Sequence, residues 1–507
     1  MDSLNEQRSA GEAEVSDAAR RRNLDQALVH GIGWTAVWRW GSQLISWGAT
    51  AYAARVLAPT DFGLAAMASL AVGLARMIED LGLDAALVQN RSLNATQVAQ
   101  LGGLAVGFGG LLTVIYVALA YPIAGFFHEP QVAALVAVLS PVLLADACQV
   151  VPRALLQIDL AFQRLAWLTG LQNLISAAVL AAAVAFGLGY WALILNTLTA
   201  SLIVTGIVNY LRPHRLQRPS DLKSIAHSVR FGWRMLVSRI AWWGYSNADS
   251  AIVGREIGKE ALGAYSFATT FAFVPLQEIV SVLSRVIPGV FSAVQANRDQ
   301  LRRYLLLLTE ALSYITFPMA LGIALVADDL VALVLGPQWS PVVTPLRILA
   351  VYMAYNSVQM LLSHILIWTG RVRANMWLGL LALAVLPPLY FVASRYGTEG
   401  VAWAVALGYP LVNTPVYILV FRVVGARLAD YLRAVAPALA CCAIMVAAVL
   451  FLRMVLPSEW AGLRRLAAAS ASGAACYFAC VAILFWHRIR MIIMVVRGRE
   501  PGAVAVA

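Results

Sequence analysis

Long apolar stretches, separated by short polar connections, recur along almost the whole chain after residue 33. A helix that crosses the hydrocarbon core of a bilayer needs about 20 apolar residues, and the stretches have roughly that length. Because the apolar runs are continuous and do not alternate with polar residues, they favour helices over membrane-spanning strands. The pattern predicts an all-α membrane protein with about fourteen transmembrane helices, at roughly 34–54, 63–87, 99–121, 131–151, 166–186, 190–210, 231–253, 262–292, 305–327, 345–368, 374–394, 399–421, 434–456 and 466–487.

Composition and charge narrow the class of protein. The chain is 61% hydrophobic and only 12% charged, with a mean hydropathy of +0.75, whereas soluble domains average about 25% charged residues. The net charge of +11 does not indicate nucleic acid as a partner, because the basic residues are spread between the spans. The five cysteines lie inside apolar runs and the six histidines are scattered, so we expect no metal site and no bound cofactor.

The positions of Lys and Arg between the spans predict the orientation of the chain. The tails and connections on the N-terminal side of the membrane carry 24 basic residues, and the opposite side carries 6. By the positive-inside rule both termini then face the cytoplasm, which also favours an even number of spans. Residues 1–29 and 491–507 are accordingly predicted to be cytosolic tails.

The two halves of the chain look related at a shift of 200 residues. Residues 55–68 then lie over residues 255–268 with the apolar pattern kept between them. Positions that match identically under this shift are Arg39 and Arg239, Arg55 and Arg255, Gly63 and Gly263, and Ala68 and Ala268. We therefore predict two six-helix lobes related as a parallel repeat, with the substrate site between them. The predicted segments are an N-lobe at 30–210, a basic cytoplasmic linker at 211–230, a C-lobe at 231–425 and two further spans at 426–490.

Short motifs near the start of each half resemble one transporter family. The first half carries LAPTDFGL at residues 57–64 and DLGLDAALVQ at residues 80–89. The second half carries DSAIVG at residues 249–254 and ALGAYS at residues 261–266. In order and spacing these motifs resemble the polysaccharide transporter, or Wzx-type flippase, group of the MOP flippase superfamily, over about residues 30–425.

The resemblance implies a function, a mechanism and a location. It implies a multi-pass transporter of the bacterial inner membrane that works by alternating access around a central cationic cavity. The substrate would be an oligosaccharide repeat unit on a polyprenyl pyrophosphate, used for exopolysaccharide or lipopolysaccharide biosynthesis. Implied partners are this lipid-linked oligosaccharide, membrane lipids and other polysaccharide-assembly proteins. The family also implies coupling to H⁺ or Na⁺, although no coupling site maps onto this sequence residue by residue.

Arginines inside the predicted spans are the candidates for substrate binding. A charge near the bilayer centre costs about 2.5–3.5 kcal/mol on insertion scales, so such residues are expected to face a cavity or a partner. Arg guanidinium groups bind phosphate oxygens bidentately, which suits a pyrophosphate. We therefore predict a cationic cavity lined by Arg39, Arg239, Arg285 and Arg234. Snorkelling to the interface is the alternative for Arg39 and Arg234. Elsewhere we expect Arg347 and Arg453 at interfaces, and Asp146 and Glu310 in interhelical hydrogen bonds.

A second set of charged residues is predicted to serve in gating or ion coupling. The stretch RMIEDLGLDAALVQ ends the second span and places four charged residues on one helical face. We call this charged face the stripe. Two interpretations of it remain open: its residues form charge pairs that close the cytoplasmic mouth, or one of its carboxylates couples transport to protons. The complete set is Arg76, Glu79, Asp80, Asp84, Asp249 and Glu278.

Other functions remain as alternatives. Within transporters, the chain could export lipid II or drugs, although a drug exporter is expected to favour an acidic, aromatic cavity over arginines. An enzyme of the same pathway, such as a membrane-embedded polymerase or ligase, usually carries catalytic side chains on a sizeable outer loop. The longest predicted outer loop, about 327–344, holds only Asp328 and Asp329 as charged residues, so we expect no enzymatic activity. A scaffold without transport of its own is the third class.

Overall fold

A computed structural model describes residues 38, 40–79, 87, 94–159, 161–217, 239–294, 297–369, 371–456 and 462–485. These residues form helices joined by short turns, and no β-strand occurs among them. Helices satisfy their own backbone hydrogen bonds, which is the requirement for a segment surrounded by lipid. The predicted all-α class is therefore confirmed for this part of the chain.

Seven helices are described in the first half, and local sequence signals account for several of their ends. Asn94 and Gln97 form a capping box at the start of α3, because the Asn94 side chain accepts from the Gln97 N–H at 2.8 Å and the Gln97 side chain accepts from the Asn94 N–H at 3.0 Å. Pro141 occupies the first turn of α5, where its missing N–H costs nothing. The helices are α1 (40–56), α2 (Pro59–Glu79), α3 (Ala95–Phe127), α4 (Gln131–Leu139), α5 (Pro141–Ile158), α6 (Phe162–Ala185) and α7 (Trp191–Leu211).

The second half contains longer helices and one π-helical turn, Val253–Ile257. Gly258 follows this turn with a φ of 116°, a conformation that favours glycine. Asn297 caps α10, since its side chain accepts from the N–H groups of Asp299 and Gln300, each at 3.1 Å. The helices are α8 (239–252), α9 (Lys259–Val294), α10 (Arg298–Val334), α11 (Val343–Trp368), α12 (Val372–Ala393), α13 (Gly397–Val424), α14 (Leu428–Val455) and α15 (Leu463–Leu484).

The described helices overlap all of the predicted spans. Ten stretches within them are long and apolar enough to cross a membrane. The total of fourteen crossings remains a prediction, because the first and seventh predicted spans lie partly outside the described residues.

Contacts divide the chain into two compact units whose borders differ from those of the predicted lobes. Unit 1 takes its residues from Met1–Ala53, Ile78–Leu119 and Leu135–Leu236. Unit 2 takes its residues from Ala54–Met77, Ala120–Ala134 and Val237–Ala507. Two segments of the first half thus pack with the second half, and the lobes at 30–210 and 231–425 stay a prediction.

Inside unit 1, a seam of polar side chains joins α5 to α7. Asp146 accepts a hydrogen bond from the Ser201 hydroxyl at 2.8 Å, and the Gln149 amide donates to the Thr205 hydroxyl at 2.8 Å. Polar groups away from water need such partners. The interhelical hydrogen bond expected of Asp146 is confirmed.

The first residues of the predicted linker also pack within unit 1, against the start of α3. The Gln217 N–H donates to the Ala99 carbonyl at 3.0 Å. A Cβ atom at Gly103 would lie only 2.0 Å from the Gln217 carbonyl oxygen, so this close approach requires glycine. Burial lowers the pKa of the nearby His214 imidazole. Residues 212–217 are thus held on α3, and residues 218–238 lie outside the described part of the chain.

Within unit 2, polar contacts at three points along α10 join this helix to α14 and α15. Arg302 near the start of α10 pairs with Asp430 at the start of α14, at 2.6 Å. Near the other ends of these helices, Arg453 pairs with Asp329. In between, the Tyr477 hydroxyl of α15 donates to the Tyr314 carbonyl of α10 at 2.8 Å. Arg347, which like Arg453 was expected at an interface, pairs with Asp328.

Candidate functional site

The structure describes the side chains of four of the ten predicted site residues. Arg39, Arg234, Asp80 and Asp84 lie outside the described residues, as do the side chains of Glu278 and Arg285 on α9. Arg239 is the first described residue of α8 and is half-buried. The cationic cavity therefore remains a prediction from the sequence.

Glu79 is the last described residue of α2 and is deeply buried. Its exposure is 5%, and no other charged residue in the described part of the chain is buried to this degree. Arg76 lies three residues before it on the same helix. The burial of Glu79 is compatible with both interpretations of the stripe, gate or coupling carboxylate.

Asp249 lies near the end of α8 inside unit 2, surrounded by tyrosines. Its Oδ2 atom accepts a hydrogen bond from the fully buried Tyr265 hydroxyl at 2.8 Å. Its Oδ1 atom is enclosed and makes no well-formed hydrogen bond within the described residues. Tyr352 and Tyr409 also lie within electrostatic range of this carboxyl group. One phenol hydroxyl contacts the carboxyl group and other phenols lie within electrostatic range of it, and a carboxyl oxygen in such a setting can accept a proton or a small cation.

The tyrosines near Asp249 begin a continuous series of aromatic contacts. Ring centroids are 6.2 Å apart between Tyr245 and Tyr409, and 5.5 Å between Tyr409 and Tyr352. The series continues from Tyr352 to Tyr355 at 6.1 Å and from Tyr355 to Tyr417 at 6.3 Å. It ends at Tyr431 on α14, 5.8 Å from Tyr417. We call the six residues Tyr245, Tyr409, Tyr352, Tyr355, Tyr417 and Tyr431 the tyrosine column.

Sequence reasoning did not find the tyrosine column, although a signal for it was present. Tyr352 and Tyr355 are three residues apart, and Tyr409 and Tyr417 are eight apart, both spacings that return to one side of a helix. What the sequence does not contain is the packing of α8, α11, α13 and α14 that brings these faces together.

Within unit 2, α2 and α9 cross near their starts with their backbones in contact. A Cβ atom at Gly63 would lie 1.7 Å from the Lys259 carbonyl oxygen, and one at Gly263 would lie 2.0 Å from the Pro59 carbonyl oxygen. Real Cβ atoms essentially never approach within 3.0 Å, so both positions require glycine. Under the 200-residue shift Pro59 corresponds to Lys259 and Gly63 to Gly263, which makes the two contacts reciprocal. We call these four residues the glycine crossing.

Trp339 packs beside the glycine crossing and donates a hydrogen bond to the end of α1. Its buried ring lies 5.4 Å from Phe62 and 4.5 Å from Phe267 between centroids. Its indole N–H donates to the Ala54 carbonyl at 2.7 Å, and the Gln338 amide donates to the same carbonyl at 2.9 Å. Carbonyls in the last turn of a helix lack partners within the helix, so these side chains satisfy one of them.

Charged groups complete this region. Lys259 pairs with Glu129 at 3.0 Å, and both side chains are partly buried. Arg55 donates to the carbonyls of Leu333 and Val334 at the end of α10. Segments of the first half are thereby attached to the second half by an ion pair, by hydrogen bonds and by aromatic packing.

The chain is similar to known proteins both in its sequence and in its fold. A family model described as polysaccharide biosynthesis protein matches residues 53–344. The chain is 24% identical over 397 residues to the lipopolysaccharide biosynthesis protein WzxC of Escherichia coli strain K12, covering 75% of this chain and 78% of that protein.

Two solved structures share the fold. The inward closed conformation of the lipid II flippase MurJ matches with a TM-score of 0.72 and 14% identity, over 90% of this chain and 100% of that one. An inward-facing multidrug resistance transporter of the MATE family, from the MOP superfamily, matches with a TM-score of 0.55 and 15% identity, over 77% of this chain and 93% of that one. At these identities the likeness concerns the fold.

Proposed function

Because the chain belongs to the polysaccharide biosynthesis protein family, we propose that it is a flippase for polyprenyl-pyrophosphate-linked oligosaccharide repeat units. It would move them across the bacterial cytoplasmic membrane for exopolysaccharide or lipopolysaccharide biosynthesis, including O-antigen or capsule. The observation that carries the proposal is the family match, joined to a fold that is similar to a lipid II flippase over 90% of the chain. Both termini would face the cytoplasm, as the 24 to 6 distribution of basic residues indicates.

The proposed mechanism is alternating access of two six-helix lobes. The reciprocal glycine crossing supports the repeat, because Gly63 and Gly263 make equivalent contacts at equivalent places. The crossing lies at the starts of α2 and α9, on the side that the distribution of basic residues assigns to the outside. It joins the first half to the second there, so we propose that it closes the outer mouth while substrate enters from the cytoplasm.

Substrate binding is proposed for the arginines found in the sequence, Arg39, Arg239, Arg285 and Arg234. A pyrophosphate is a compact dianionic group that must leave water on entering the membrane, and fixed guanidinium groups offset this cost. Alternation requires that these cations be accessible from one side at a time. The stripe with Arg76 and Glu79 is proposed as the gate of the cytoplasmic mouth.

Energy coupling is proposed for Asp249. The described residues that face its carboxyl group contribute hydroxyls, so the charge of the group depends on what it binds. Binding of H⁺ or Na⁺ would neutralise it and release of the ion would restore the charge. A change of charge in a low-dielectric site can shift the balance between two conformations by several kcal/mol.

The enzymatic alternative has little support in the described residues. Asp328 and Asp329, the acids of the longest predicted outer loop, form ion pairs with Arg347 and Arg453. Carboxylates held in this way fasten helices together. Export of lipid II or of drugs is the second candidate function, since both of the solved structures above share the fold.

The test is the fate of lipid-linked intermediates in a strain that lacks the gene. We expect undecaprenyl-linked repeat units to accumulate on the inner leaflet and the exported polysaccharide to be lost, with both effects reversed by the intact gene. Normal polysaccharide export with no trapped intermediate would refute the proposal. Depletion of exported lipid II, or drug sensitivity without a polysaccharide defect, would favour the second candidate.

A further inference from the structure

We propose that the tyrosine column is the route by which protons travel between Asp249 and the cytoplasmic end of the second half. The inference rests on the proposed coupling role of Asp249 and commits that role to H⁺. It is carried by three observations: the enclosed carboxyl group, the continuous series of contacts between phenol rings, and buried hydroxyls that make no well-formed hydrogen bond within the described residues.

The first observation concerns what faces Asp249. Tyr265 of α9 donates to it, and tyrosines of three other helices lie within electrostatic range. These are Tyr352 of α11, Tyr390 of α12 and Tyr409 of α13. No basic side chain among the described residues pairs with Asp249, so the groups available to exchange a proton with it are hydroxyls.

The second observation concerns where the column leads. Tyr409 and Tyr417 are eight residues apart on α13, which is about 12 Å along a helix axis. Tyr431 lies in the first turn of α14, beside Asp430 and its partner Arg302. This is the end of the bundle that the distribution of basic residues assigns to the cytoplasm. The part of the column on α13 alone therefore covers about 12 Å of the roughly 30 Å hydrocarbon layer.

The third observation concerns the hydroxyls themselves. Phenylalanine would fill the same space without bringing a polar group out of water, which costs at least about 1 kcal/mol when the group stays unpaired. The buried hydroxyls of Tyr355, Tyr390 and Tyr431 make no well-formed hydrogen bond within the described part of the chain. Tyr355 and Tyr431 nevertheless both face the Tyr417 hydroxyl. Enclosed polar groups in this arrangement are typical sites for bridging water.

The proposed transfer conserves charge at every step. A proton that reaches Asp249 from the outer side forms the carboxylic acid. Asp249 later releases it to a neighbouring hydroxyl or bridging water, while that group passes its own proton to the next member. The last proton leaves to water beside Tyr431. No tyrosine carries a net charge before or after the passage, and no other reactant is consumed.

The experiment measures proton exchange at Asp249 directly and needs no transported substrate. The full chain in lipid vesicles is placed on an infrared reflection cell, and the buffer pH is stepped. The carboxylic C=O band that disappears in Asp249→Asn belongs to Asp249. We expect Tyr417→Phe and Tyr355→Phe to slow the appearance and loss of this band by at least about a hundredfold, because each removes one relay group but keeps its ring.

The matched control is Tyr477→Phe, which removes a buried hydroxyl outside the column. Its band kinetics should equal those of the wild type, and the thermal unfolding of the column variants should be unchanged. Unaltered kinetics in both column variants, or equal slowing in the control, would overturn the route. The lack of any band that depends on Asp249 would also overturn it. None of these outcomes touches the flippase proposal, which the intermediates in the gene-deletion strain test separately.

Discussion

Replacement of Gly63 by alanine is the sharpest test of the glycine crossing. The added Cβ would begin 1.7 Å from the Lys259 carbonyl oxygen and must reach at least 3.0 Å, so the starts of α2 and α9 must separate by more than an ångström. The obstacle is backbone, which cannot rotate away like a side chain. Overpacking of this kind costs about 1–3 kcal/mol. If this cost applies only to the conformation in which α2 and α9 cross, it lowers the population of that conformation relative to an open one by about 5- to 150-fold.

The assay is a distance measurement between spin labels at positions 58 and 260, which are exposed and flank the crossing. The five native cysteines are first replaced, and the protein is studied in lipid. We expect Gly63→Ala to move the distance distribution outward and to reduce polysaccharide export. The control is Gly107→Ala on α3, because no side chain or backbone atom of another described helix lies within 4 Å of the position that its Cβ would take, and the helix itself gains stability.

The reciprocity of the contact supplies a second check. Gly263→Ala should shift the same distribution in the same direction, since its Cβ would begin 2.0 Å from the Pro59 carbonyl oxygen. An unchanged distribution in Gly63→Ala would show that the crossing does not respond to the added methyl group. A shift in Gly63→Ala but none in Gly263→Ala would refute the equivalence of the two contacts.

Three further predictions concern charges. Lys259→Glu should weaken the closed outer mouth through repulsion with Glu129, and the double exchange Lys259→Glu with Glu129→Lys should restore export; failure of the double variant would argue against the ion pair. Arg453→Ala should lower the free energy of unfolding by about 3 kcal/mol, because it leaves the mostly buried Asp329 without its partner. Arg347→Ala breaks a more exposed ion pair and should lower the free energy of unfolding by under about 1 kcal/mol in the same thermal unfolding assay. Arg239→Ala should abolish export with insertion intact, while export at the wild-type rate would exclude it from the cavity.

Much of the fold follows from the apolar pattern alone. Burial in lipid demands helices of nearly constant length, so continuous apolar runs could be converted into spans. The helix starts were less well placed, because α3 and α10 begin directly after the caps Asn94 and Asn297, whereas the apolar runs put the spans at 99 and 305. The proposed repeat also has a readable trace in the sequence, in the matching glycines at positions 63 and 263. Their spacing did not reveal that each lies against the backbone of the other's helix, because contact depends on how helices cross.

The candidate site was predictable in part. A charge in an apolar run stands out, and Asp249 was found in this way. The phenols around it were not, since tyrosine is common at membrane interfaces and a hydroxyl in a span carries little signal by itself. Only packing shows that residues from four helices meet around one carboxyl group. The arginines Arg39, Arg234 and Arg285 rest on sequence reasoning throughout.

The glycine crossing bears on how the proposed repeat arose. A contact in which residue i meets residue j while j meets i is the signature of an isologous interface between two identical chains. If the halves descend from one six-helix ancestor, the meeting of Pro59 with Gly263 and of Lys259 with Gly63 was once a single contact used twice in a homodimer. Fusion would then have freed the two copies to diverge, as at Pro59 and Lys259. Both glycines would have been kept, because the backbone of the opposite half occupies the space that any side chain would need.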